Sequence, residues 1–124
     1  MLKAISIMSN HFSFSAGFQV QKGRLIDFIP RVEQQYYLSF EVKPGPRIIP
    51  HWGSIVHLTI HGNLGKLGER IPAVWFHPRT RALHICTALG TNVNYCYNSG
   101  NLPTNRYITG HFIQKQLLFR RKYL

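Results

Sequence analysis

The chain is poor in acid. Its 124 residues include only four Asp and Glu, namely Asp27, Glu33, Glu41 and Glu69. Carboxylate catalysis of the glycosidase kind needs two acids facing each other across a cleft. No spacing among these four brings a pair together, although Glu41 sits in a strand-like stretch. The sequence therefore holds no catalytic residue set, and the expectation is a binding protein rather than an enzyme.

Cysteine is scarce too, with only Cys86 and Cys96. Two thiols are too few for a four-ligand structural zinc site unless histidines join them. His57 and His61 share a face if the chain there is extended, but their Cα atoms would then lie about 13 Å apart. His51 lies in a loop with nothing to fix it, so no metal site is expected. Long apolar runs are missing as well. The longest, around 54–60, is broken by His57 and Thr59 and falls short of a membrane span. The opening Met1–Met8 stretch is cut off by Ser9, Asn10 and His11 before it reaches the length of a signal-peptide apolar region. Helix signals are also few, because no segment repeats apolar residues at i, i+3, i+4 and i+7 between caps.

What the chain does have is positive charge and strand patterning. Lys and Arg number 15, for a formal charge of +11. That balance favours polyanions such as sulfated glycan or nucleic acid. The charges are scattered, and only Arg120, Arg121 and Lys122 form a run. Hydrophobic residues make up 44% of the chain, enough for one folded domain.

Short alternating stretches recur between turn residues. They fall at 17–21, 24–29, 36–42, 54–60, 73–77, 82–87 and 93–97, with a last extended segment from near Arg106 to Phe119. The clearest is 36–42, where Tyr36, Leu38, Phe40 and Val42 face one way and Tyr37, Ser39 and Glu41 the other. Residues 78–81 and 89–92 read as turns. This pattern predicts an all-β, antiparallel sandwich over 17–124, with 1–16 a poorly ordered segment outside it.

If 82–87 and 93–97 form a hairpin, Cys86 and Cys96 meet on adjacent strands, as a cross-strand disulfide requires. The bond would imply an oxidising compartment. Two buried free thiols are the alternative. The glycine-rich stretch 62–68 lacks the Gly-Lys-Ser/Thr ending of a phosphate loop and reads as a surface loop. Arg70, Ile71 and Pro72 would then lead into a buried strand, with the proline at its first position or on an edge. Trp52, Trp75, Tyr95, Tyr97 and Tyr107 could stack on sugars or bases, but aromatics are packing residues by default. Trp52, beside Gly53 in a loop, is the one least expected to be buried.

A wider pattern runs from Tyr36 to about Gln116. It comprises Tyr37-x-Ser-Phe-Glu-Val-x-Pro44, Trp52-x-x-Ile-Val-His-Leu-Thr59 and Gly62-Asn-x-Gly-x-x-Gly-x-Arg-Ile-Pro-Ala-Val-Trp-Phe76. Leu83-His-Ile-Cys86, Asn94-Tyr-Cys-Tyr-Asn98 and Leu102-Pro103 complete it. Together these resemble the laminin-G/concanavalin-A-like domains of secreted and matrix proteins of marine invertebrates. The resemblance implies a jelly roll of two sheets, secretion to the extracellular space, and recognition of a glycan or matrix molecule. Some such domains hold calcium, but the glycine-rich loop here offers Lys66 and a single acid, Glu69, a poor calcium cage. Further strands follow in that family where this chain runs through 115–124, so the jelly roll is expected to be incomplete.

Loops carry recognition in sandwiches. Two have suitable chemistry, His51-Trp52 and 62–70, but a strand of seven residues would hold them about 20 Å apart. The expected site is therefore one end only: Asn63, Lys66 and Arg70, with amide and cationic donors for hydroxyl or sulfate oxygens. Trp52 is the next candidate.

Overall fold

The computed structural model describes residues 2–7, 12–14, 25, 36–60, 62–63 and 66–114. Among these the chain is all strand and turn, without helix. Eight strands follow in order: β1 (Leu2–Ile7), β2 (Phe12–Phe14), β3 (Tyr36–Val42), β4 (Gly53–His57), β5 (Ala73–Phe76), β6 (Ala82–Leu89), β7 (Asn92–Asn101) and β8 (Ile108–Gln114). They form two four-stranded sheets of order β2-β1-β3-β8 and β4-β5-β6-β7. Every pairing is antiparallel. The second sheet is a meander; the chain enters it from β3 and returns from β7 to β8, which lies against β3.

The two sheets close over one core. Leu38, Phe40 and Val42 of β3 meet Ile55, Val56, Val74 and Leu83 of the second sheet. Alternation along β3 drives this, since its even-numbered residues are buried and its odd ones half-exposed. Each fully buried side chain of this size contributes about 1.5–3 kcal/mol. Phe40 needs a gap in its neighbour: it pairs with Gly110, where any Cβ would run into the phenyl ring. A polar link also joins the sheets, with the Tyr36 hydroxyl 3.1 Å from Thr87 Oγ1 and the Thr87 hydroxyl donating to Gln114 Oε1 at 2.8 Å.

Several sequence expectations change. The sequence sets residues 1–16 outside the sandwich, whereas β1 pairs with β3 from Leu2↔Val42 to Ile7↔Leu38 and β2 pairs with β1. A register shift between Leu2 and Ala4 breaks the period-two pattern that would have revealed β1. β4 ends at His57 rather than at residue 60. Beyond it the chain keeps ladder-like bonds: Leu58 N–H to Pro72 O at 2.9 Å, Ile71 N–H to Leu58 O at 3.1 Å and Ile60 N–H to Gly68 O at 2.9 Å. β4 also carries a bulge between Ser54 and Val56, which lets adjacent Ile55 and Val56 both enter the core. Tyr95, Tyr97 and Tyr107 are exposed instead of packed. Pro72 is buried and directly precedes β5, as the missing N–H requires. The strands expected at 17–21 and 24–29, apart from exposed Leu25, and the stretch 115–124 lie outside the described residues.

Candidate functional site

The face of the second sheet that points away from the core carries the unusual chemistry. Pairing sets which residues meet there: Ser54 opposite Trp75, Trp75 opposite His84, His84 opposite Asn98, and Cys86 opposite Cys96. His57 follows on β4, and Trp52 and His77 sit just beyond the ends of β4 and β5. Trp75 is the centre. Although its face looks outward, it is only 7% exposed. Trp52 covers it edge-on at 6.3 Å between ring centroids, His57 lies at 5.5 Å and His84 at 6.0 Å. The Arg70 guanidinium stands over the indole at 5.1 Å, within cation–π range.

Trp52 is half exposed, at 49%, and is not loose. His77 and His84 both approach its ring to 4.8 Å. The result is an open indole held from behind by imidazoles and a second indole.

Hydrogen bonds fix the polar members. His84 Nδ1 lies 2.6 Å from Asn98 Oδ1. An amide oxygen only accepts, so Nδ1 donates to it, and the other ring nitrogen is Nε2. That nitrogen faces Cys86 Sγ at 3.1 Å. His57 Nε2 donates to the Glu69 carbonyl. Arg70 Nε donates to Asn63 Oδ1 at 3.0 Å, and its terminal nitrogen donates to Asn94 Oδ1.

Cys86 and Cys96 form the expected disulfide, with Cα atoms 4.1 Å apart on directly paired positions. Its sulfurs and His84 Nε2 lie within 4.8 Å of one another, a spacing that free thiols could use for metal. Here each sulfur is bonded to the other, so the group is a disulfide backed by a histidine. With Ala73 and Trp75 it forms a second small apolar cluster beneath the exposed ring.

The residues singled out by sequence fall as follows. Trp52, Asn63 and Arg70 all belong to this surface. Lys66 is exposed in the 62–70 loop, and its backbone N–H donates to the Glu69 carboxylate at 2.8 Å. The expectation that the two loops are too far apart to share a site is corrected. β4 is five residues long, and Trp75 touches Trp52 on one side and Arg70 on the other. The loop is not exposed throughout, since Gly68 and Glu69 are buried. Sequence reasoning missed His77, His84, Asn94 and Asn98 as members and took Trp75 for a packing residue by default. A hairpin register drawn about the 78–81 turn would have placed Trp75 beside His84.

The two described carboxylates are far apart in the fold. Glu41 pairs with Thr109 in the first sheet, and Glu69 is 2% exposed in the loop at the other end of the second. Asp27 and Glu33 lie outside the described residues, as does His61. The chain is thus an all-β sandwich bearing a disulfide-backed aromatic and histidine surface. No protein-family model, curated protein or solved structure matches it.

Proposed function

We propose that this domain is a non-catalytic extracellular recognition module, lectin-like, which binds saccharide on the outer face of the second sheet. The observation that carries the reading is Trp52, an open indole braced by Trp75, His77 and His84. A sugar ring offers an apolar C–H face that stacks on indole and a rim of hydroxyls that need hydrogen-bond partners. Asn63, Asn94 and Asn98 supply amides around the indoles, and Arg70 is a positioning residue that holds Asn63 and Asn94 against Trp75. The resemblance to laminin-G/concanavalin-A-like jelly rolls points the same way. So does the disulfide, which favours an oxidising, extracytoplasmic setting.

A glycan array run at low and at high salt tests this. The expected result is binding to a restricted set of glycans, lost in Trp52→Ala with the melting temperature little changed. Binding that is equal in wild type and Trp52→Ala would overturn the reading.

A further inference from the structure

We infer that the end of the sandwich formed by loops 43–52, 77–81 and 102–107 binds sulfated polysaccharide, extending the saccharide surface on which the inference rests. Register places these loops together. Val42 pairs with Ile108, Gly53 with Phe76 and Ala82 with Asn101, so the segments beyond those pairs all leave the sheets at one end. They are also tied to one another. Arg79 N–H donates to Ile49 O at 2.9 Å, Asn105 N–H to Pro44 O at 2.9 Å and Leu102 N–H to Arg81 O at 3.0 Å. The Arg81 guanidinium donates to Pro46 O at 3.0 Å. The three loops make one rim.

That rim is basic. It carries Lys43, Arg47, Arg79, Arg81 and Arg106, and none of the three loops contains Asp or Glu. Lys43, Arg47, Arg79 and Arg106 are exposed. Like charges gathered on one rim repel in the free protein, and an anionic partner relieves that repulsion. At the opposite end Arg70 is already engaged by Asn63, Asn94 and Trp75. Among the described residues the exposed guanidinium groups are Arg47, Arg79 and Arg106, and all three lie on the rim. Guanidinium groups suit this role, since their paired N–H donors match two oxygens of a tetrahedral anion.

The choice of polysaccharide over nucleic acid follows from what adjoins the rim. Trp52 ends the first of these loops, so a chain lying across the rim continues onto the exposed indole. The disulfide favours a compartment where sulfated glycans, not nucleic acids, are the abundant polyanions.

The test uses oxidised full-length protein and a heparin octasaccharide, with affinity measured at several salt concentrations. The site variant is R47A/R79G/R106A; glycine is used because Arg79 has φ 59°, a left-handed conformation that alanine resists. The control is R120A/R121A/K122A, which removes the same charge elsewhere in the sequence. The site variant should lose roughly tenfold or more in affinity and flatten the salt dependence by up to about three counterions, with the control near wild type. Equal losses in the two triple variants would show that charge acts diffusely and overturn the inference. An oligonucleotide of matched charge binding as tightly as the octasaccharide would overturn it too. W52A separates the two readings. If W52A abolishes neutral-glycan binding while the site variant leaves heparin binding intact, the indole site stands and the rim falls. If the reverse holds, the rim stands and the indole site falls.

Discussion

Tyr36 hangs its hydroxyl between the sheets, in contact with Thr87 of β6 and with Gln114 of β8 at 3.3 Å. Burial pushes its pKa up to about 12 from the usual 10, although the Thr87 hydroxyl pulls the other way. The neutral form is therefore favoured in the folded protein. Stability from this group is complete below pH 10, where neither state ionises. It falls between pH 10 and 12, where the unfolded chain loses its proton first, by about 2–3 kcal/mol in all. Urea unfolding from pH 9 to 12 should show that fall, and it should be much smaller in Tyr36→Phe. At neutral pH the Phe variant loses only about 1 kcal/mol, because Thr87 and Gln114 still satisfy each other. Gly110 is a residue of the opposite kind, important for having no side chain. Gly110→Ala would push the Phe40 ring out of its place and cost about 1–3 kcal/mol, read from the denaturation midpoint.

Among the elements, β6 and β7 are joined covalently as well as by hydrogen bonds. The disulfide closes a loop with a sequence separation of 10, which in the chain-entropy view contributes about 2–3 kcal/mol. C86A/C96A should unfold at correspondingly lower denaturant, and native wild-type protein should take up no thiol label before reduction. This bond was legible in the sequence because both cysteines fall within a hairpin whose turn, at 89–92, is plain. β3 was legible for a similar reason: one face is buried and the other is not, so alternation survives. β1 and β4 were read less well, since each contains a register shift that puts neighbouring residues out of phase. The site was half legible. Trp52, Asn63 and Arg70 stand out as exposed chemistry in loops, but the indole that unites them, Trp75, looks in sequence like any buried strand residue. Period-two patterning assigns a residue to a face and says nothing of which strands lie beside it.

At the scale of the whole molecule, charge is the dominant imbalance, with 15 basic residues against four acids. Self-repulsion should make the fold salt-sensitive in an unusual sense: the melting temperature should rise as sodium chloride increases from low to physiological strength. A fall would mean that attractive ion pairs outweigh the net charge. The edge strands of the second sheet are guarded differently. β4 is bulged, and β7 is rich in asparagine, both of which discourage strand addition from another molecule. One consequence of the aromatic surface reaches beyond binding. Trp52 and Trp75 are the protein's only tryptophans, and they touch. All indole emission therefore comes from a single place, beside a disulfide and three imidazoles, groups that quench excited indole. Reducing the disulfide should brighten the protein, and a saccharide settling on Trp52 should shift its colour. The molecule carries its own optical probe, installed at the surface it would use.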